Sequence, residues 1–224
     1  MPTTLITGAN RGIGLEFARQ YAADGWRVIG TVRDAKAGSG LKKLGAEPHS
    51  LEVTDRKQIA KLARKLKGTP IDVLFCNAGI VGTRGSAPGR FDYPAWEELF
   101  RVNVLGTAAV AEALLENVAA SERKVIAMMS SRLGSMAETS GQTLPYGTSK
   151  AALNLLAKGL AVTQAGRGII VVALSPGWVR TDMGGEGAAL APETSVRGLK
   201  KVIAGLTPAD SGKFLSHDGS AIPW

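Results

Sequence analysis

Tyr146 and Lys150 stand four residues apart in "YGTSK". In a helix, positions i and i+4 share a face, so a phenol and an ammonium would project together. A phenol with a pKa of about 10 exchanges protons poorly at neutral pH, and a neighbouring cation favours its phenolate. Such a pair suits proton transfer to or from a carbonyl oxygen. An isolated Y-x-x-x-K also reads as the start of an amphipathic helix with a surface lysine, so the rest of the chain must decide.

A second stretch, "TGANRGIG" at residues 7 to 14, sets Gly8, Gly12 and Gly14 between an apolar run and a helical pattern. A helix N-terminus presents unpaired N–H groups and the positive end of its dipole, which suits phosphate. Gly8 fits a tight turn, Gly12 lets a pyrophosphate approach the backbone, and Gly14 lets the helix pack close to the strand. The spacing G-x-x-x-G-x-G differs from the more widespread G-x-G-x-x-G. The chain carries 28 glycines, so a plain strand-to-helix turn stays open as the other reading.

Both motifs need elements to hold them. "TTLIT", "RVIGTV", "PHSLEV", "IDVLFC", "KVIAMM" and "GIIVVALS" read as buried strands, and "SGKFLSHDG" adds an edge strand. Helical periodicity predicts helices near 12–24, 55–67, 94–118, 146–165 and 193–205. Alternating strands and helices favour parallel pairing through crossovers. The expected fold is α/β: a single-domain Rossmann fold, doubly wound, with a parallel sheet of about seven strands and helices on both faces. It takes in residues 1–224, a length that suits one domain. The Gly/Ser/Pro-rich stretches 79–89 and 184–192 read as loops within it, where sites are built.

Composition narrows the function classes. No apolar run approaches the roughly 20 residues that span a membrane, so no membrane partner is expected. The start lacks a basic, apolar and small-residue series, so no secretory signal is read and a cytoplasmic location is expected. Lys and Arg outnumber Asp and Glu 27 to 19, but much of the excess lies in "DRKQIAKLARKLKG". There Ile59, Leu62, Ala63 and Leu66 recur at helical spacing, so the basic residues form a solvated face and no nucleic-acid partner is expected. Cys76, the only cysteine, reads as a small buried side chain in "IDVLFCNAG". His49 and His217 lack ligand-spaced neighbours, and no metal is predicted.

"TGANRGIG", "CNAG" (76–79), "RVNVLGT" (101–107), "SSRLGS" (130–135), "YGTSK" (146–150) and "SPGWVRTDM" (175–183) occur in the order expected of a short-chain dehydrogenase/reductase. The chain resembles that superfamily over nearly its whole length. "PGWVRTDMGG", "SVRGLKKVI" and "DGSAIPW" are similar to its C-factor and Sniffer-type carbonyl reductase branch. The resemblance implies a catalytic set of Asn103, Ser131, Tyr146 and Lys150. Tyr146 would be general acid or base, Lys150 would lower its pKa and hold the nicotinamide ribose, and Ser131 would hydrogen-bond the substrate oxygen. Asn103 would anchor a water linking Lys150 to solvent. Ser131 is taken from "SRLG", 15 residues before Tyr146, a longer spacing than the family's. Ser130 and Ser135 are the alternatives, and any of the three could be a strand-end hydroxyl satisfying nearby backbone.

The resemblance also implies cofactor contacts from Gly8, Asn10, Arg11, Gly12, Ile13 and Gly14, and from Tyr146 and Lys150. Glu52 and Val53 would flank the adenine, with Glu where the family more often has Asp. Asn77, Ala78 and Gly79 would line the strand end, Asn77 reading equally as structural. Pro176, Gly177, Val179 and Thr181 would hold the carboxamide. The cofactor is read from charge. A carboxylate ending the second strand repels a 2′-phosphate, whereas an arginine accommodates it. "TVRD" puts Val32 in the carboxylate's place and Arg33 after it, and Arg11 precedes Gly12. Two arginines point to NADP(H) against the competing Asp34.

The expected activity is NADPH-dependent reduction of aldehydes, ketones or quinones, with residues 132–144 and 180–195 walling an open substrate pocket. One rival is an NADP(H)-binding regulatory or signalling protein of C-factor type. Another, an epimerase or dehydratase, needs a larger sugar-nucleotide domain than 224 residues leave room for. Family habit implies a homodimer, or a tetramer, through the helices near 94–118 and 146–165. Val110, Leu114, Leu155 and Leu156 would serve there or face the sheet.

Overall fold

The β-branched runs pair into one sheet in the computed structural model, which describes residues 1–34, 38–82, 88–141 and 143–224. Its strands are β1 (Thr3–Ile6), β2 (Arg27–Val32), β3 (Glu47–Ser50), β4 (Val73–Cys76), β5 (Val125–Met129), β6 (Ile170–Ser175) and β7 (Phe214–Ser216). They lie in the order β3-β2-β1-β4-β5-β6-β7, and every neighbouring pair is parallel. The winding reverses between β1 and β4. At such a switch point the crossovers leave in opposite directions and a crevice opens beyond the carboxyl ends of the strands.

Alternation along each strand divides the apolar side chains between two cores. Leu5, Leu74, Ile126, Met128 and Val171 point to one face, and Ile6, Phe75, Ala127, Val172 and Leu174 to the other. The first core is closed by α3 (Arg56–Lys65), α5 (Thr107–Ala113), α6 (Leu115–Ala119) and α7 (Leu144–Gln164). The second is closed by α1 (Gly12–Ala23), α2 (Ser39–Lys43) and α8 (Pro192–Gly205). α4 (Tyr93–Phe100) precedes α5 in the chain. Cys76 belongs to the first core, where burial pushes its thiol up to about 12 and leaves it inert.

Local chemistry explains the helix boundaries. The Asp55 carboxylate accepts from Lys57 N (2.8 Å) and Gln58 N (3.1 Å), capping α3. On that helix Ile59, Leu62 and Leu66 are buried while Arg56, Lys57, Lys61, Arg64 and Lys65 are exposed, which is the solvated basic face the pattern predicts. Asp92 caps α4 by accepting from Ala95 N at 3.0 Å.

Two expectations need correction. The third strand ends at Ser50 rather than running to Val53, because Glu52 turns the chain: its carboxylate accepts from the Thr54 N–H and hydroxyl, both at 3.2 Å. The helix expected over 94–118 is α4, a π-helical stretch at Arg101–Gly106, α5 and α6 in succession. α2 is too short for periodicity to reveal. Of the four residues suggested for assembly, Val110 and Leu114 are sheet-facing core, Leu156 packs partly against it, and Leu155 alone is exposed. The loop read over 79–89 reaches into 83–87, which lie outside the described residues, as does Gln142. Among the described residues no helix is long and apolar enough to cross a membrane, and no cluster of His, Cys, Asp and Glu could hold a metal ion.

Candidate active site

Thr7, immediately after β1, ties the crevice together. Its hydroxyl oxygen accepts from Asn77 N and Ala78 N, each at 2.9 Å, and the Asn77 amide donates back to Thr7 O (2.9 Å) and Gly8 O (3.1 Å). Asn77 is thereby occupied in pinning the end of β4 to the glycine loop, which is its structural reading. Sequence reasoning misses Thr7, although it opens "TGANRGIG". A polar side chain ending a buried strand is the signal that could have found it.

The glycines meet real constraints. Gly8 and Gly12 have φ of 65° and 53°, in the left-handed region that a Cβ disfavours. A Cβ on Gly14 would lie 2.3 Å from Gly8 O and 2.6 Å from Asn77 Nδ2, so only glycine lets α1 start this close to the strand end. Gly14 is buried, Ile13 is half-buried and Asn10 is exposed. Arg11, the N-cap residue of α1, provides no side-chain cap. The first-turn N–H groups therefore face the crevice without a side-chain acceptor, a cradle suited to a phosphate.

The residues expected to form the catalytic set come from three elements. Tyr146 and Lys150 share a face of α7, with Lys150 Nζ 5.5 Å from the centre of the phenol ring. Pro145 lies in the first turn of α7, and the preceding Thr143 holds a left-handed φ of 53°, uncommon for a β-branched residue. Lys150 is buried and donates to Met129 O at 2.8 Å, fixing its amine below the end of β5. Burial without an anionic partner lowers its pKa to about 8. Burial likewise pushes Tyr146 up to about 12, an effect partly opposed by the Ser131 hydroxyl beside it. At neutral pH Tyr146 therefore carries its proton.

The three serines separate by their partners. Ser130 donates to Asn154 Oδ1 at 2.5 Å, and Ser135 donates to Pro223 O at 2.7 Å, so both are buried in structural roles. Ser131 caps the short 3₁₀ turn at Arg132–Gly134, its oxygen accepting from Leu133 N at 3.3 Å. That contact leaves its O–H free for the phenol or a substrate oxygen. Asn103 lies fully buried in the π-helical stretch, a distortion often found at functional sites. Its amide accepts from Ile80 N (2.9 Å) and donates to Ile80 O (3.0 Å) and Ser149 Oγ (3.1 Å). Ser149 in turn donates to Tyr146 O at 2.7 Å, a link that sequence reasoning misses. A Cβ on Gly79 would sit 3.0 Å from Asn103 Oδ1 and 3.7 Å from Lys150 Nζ, so glycine keeps that gap open.

The other residues expected to hold the cofactor follow the ends of β2, β3 and β6. Arg33 is exposed beyond β2 and its guanidinium has no ion pair among the described residues. Glu52 is committed to its own turn, and the buried Val53 packs against Gly106. Pro176 accepts from Ser195 Oγ at 2.6 Å, Gly177 is left-handed at φ 76°, and Val179 bridges to Leu190. Thr181 accepts from Gly184 N at 3.0 Å.

Comparison with known proteins agrees with this geometry. The family model for short chain dehydrogenase matches residues 2–189. C-signal of Myxococcus xanthus is 40% identical over 156 residues, covering 69% of this chain and 93% of that protein. An NADPH-bound carbonyl reductase from chicken fatty liver superposes with a TM-score of 0.91 at 32% identity, covering 100% of this chain and 99% of the other. Carbonyl reductase Sniffer of D. melanogaster does so with a TM-score of 0.92 at 30% identity, covering 100% of both chains. The sheet order, the glycine cradle and these matches together place the chain in the short-chain dehydrogenase/reductase family, in its C-factor and carbonyl reductase branch.

Proposed function

We propose that the protein is an NADPH-dependent carbonyl reductase acting on aldehydes, ketones or quinones. The observation that carries this reading is the grouping at Tyr146: a half-buried phenol next to the Ser131 hydroxyl and on one helix face with the buried Lys150 amine. The uncapped first turn of α1, the glycine cradle and Arg33, which has no ion pair among the described residues, suit a phosphorylated dinucleotide, and the NADPH held by the chicken carbonyl reductase supports the same cofactor. When bound, NADPH supplies the hydride.

The chain's own residues handle the oxygen. Ser131 donates to the carbonyl oxygen and orients it. Tyr146 passes its proton to that oxygen as negative charge develops there, and the Lys150 ammonium stabilises the phenolate left behind. The gap kept by Gly79 between Asn103 and Lys150 gives the returning proton its route. Leu133, Met136 and Trp178 are exposed on the segments after β5 and β6, so the pocket walls favour apolar carbonyl compounds.

Loss of NADPH absorbance against a panel of aldehydes, ketones and ortho-quinones, with NADH alongside, tests the proposal. Turnover preferring NADPH is expected. Binding of NADPH with no turnover would overturn the reductase and favour the second reading, an NADP(H)-binding regulatory protein, which the likeness to C-signal supports.

The same reading includes a homodimer. Tyr93, Leu105, Leu155 and Val162 expose apolar side chains on α4, the π-helical stretch and α7, which pack side by side. Light scattering is expected to give twice the 23.3 kDa chain mass, and Leu155→Glu to give the single chain. A 23.3 kDa species for the unaltered protein would overturn the dimer.

A further inference from the structure

We infer that Asp182 is a specificity-determining residue that weakens the preference for NADPH by engaging Arg11. Arg11 Nη1 and Asp182 Oδ2 form an ion pair at 2.7 Å, joining the glycine loop to the segment after β6 across 171 positions of sequence. The two segments meet at a second point, where a Cβ on Gly12 would lie 3.4 Å from the Thr181 methyl carbon. Both charged side chains are exposed, and among the described residues neither has another ion pair.

On its other side the glycine loop is seated on β2, with Ala9 N donating to Thr31 O at 2.9 Å. Arg33 follows Thr31 by two positions, so the loop that carries Arg11 and the end of β2 that carries Arg33 are neighbours. The Arg33 guanidinium has no ion pair among the described residues; that of Arg11 is committed to a carboxylate. A phosphate monoester brings nearly two negative charges and accepts charge-assisted hydrogen bonds from arginine. To engage Arg11 it must displace Asp182 or share the guanidinium with it, and in either case the carboxylate charge stays close. NADH lacks that phosphate, so Asp182 costs NADPH more than NADH. This inference rests on the NADP(H) reading of the site.

Dissociation constants for NADPH and NADH, measured by quenching of tryptophan fluorescence, test it without turnover. Asp182→Asn and Asp182→Ser are expected to tighten NADPH about two- to fivefold, the range of an exposed ion pair, with a smaller change for NADH. The gain should vanish in an Arg11→Gln background and shrink at high ionic strength. Unchanged or weaker NADPH binding would overturn the inference and leave Asp182 a staple for its loop. An equal gain for both cofactors, or a gain that survives Arg11→Gln, would overturn it too. Failure of the unaltered protein to bind NADPH would instead overturn the cofactor reading beneath it.

Discussion

Tyr146→Phe is expected to lower kcat for carbonyl reduction by about 10²- to 10⁴-fold, the usual contribution of a positioned general acid, while NADPH affinity stays close to that of the unaltered protein. The substitution removes one oxygen and keeps the ring, so packing on α7 and the 5.5 Å approach of Lys150 to the ring are preserved. What is lost is the proton itself. With the phenol pushed up to about 12, it is fully protonated at neutral pH. Ser131 still binds the carbonyl oxygen in the variant, so KM should move far less than kcat. The NADPH absorbance assay and a fluorescence titration, run on the same preparation, read the two effects separately. A Phe variant that kept even about a tenth of the activity would remove Tyr146 from the acid's role, since that loss is below the smallest contribution expected of such a group.

Lys150→Met is expected to lower kcat by about 10²-fold or more, because the phenolate formed as Tyr146 gives up its proton then lies buried with no cation beside it. The unaltered protein should show the same dependence through pH. Lys150 is lowered to about 8 by burial, so kcat/KM for reduction holds below that value and falls above it as the amine loses its charge. In the Met variant this falling limb should be absent. A profile that stays flat through about pH 9, a unit above the folded pKa, or a limb that persists in the variant, would detach the pH dependence from Lys150.

Stability should shift in a complementary way. The folded pKa lies below the unfolded value of about 10.4, so between the two the unfolded chain binds more protons and stability rises with pH. Lys150→Met lacks that rise. Thermal melts of both forms across this window check the sign, and a parallel rise in the variant would assign it to another group.

Much of the site is legible in short stretches of sequence, for identifiable reasons. Gly8, Gly12 and Gly14 stand out because their constraint is local: a turn after one strand, a close approach, and the start of one helix. Tyr146 and Lys150 share a face by helical spacing alone. Ser131 differs, since "SSRLGS" offers three serines and only long-range partners separate them. Ser130 reaches Asn154 and Ser135 reaches Pro223, contacts 24 and 88 positions away that no local pattern encodes. Thr7 and Ser149 escape sequence reasoning for the same reason: their partners are backbone groups and amides brought close by the sheet and by α7.

The sequence by itself determined the alternation of strand and helix, the apolar period of each, and hence a parallel sheet covered on both faces. Those features follow from side-chain burial and crossover length, which are properties of short segments. Only the tertiary structure decided the protonation of the site and the engagement of its charges. Sequence spacing puts an ammonium near a phenol, but the burial that raises Tyr146 and lowers Lys150 comes from how α7 is packed in the assembled fold. In the same way Arg11 reads as a free phosphate ligand until the chain returns, 171 positions later, with Asp182 against it. Burial and long-range charge depend on the whole assembled fold, so they are absent from any stretch of sequence read alone.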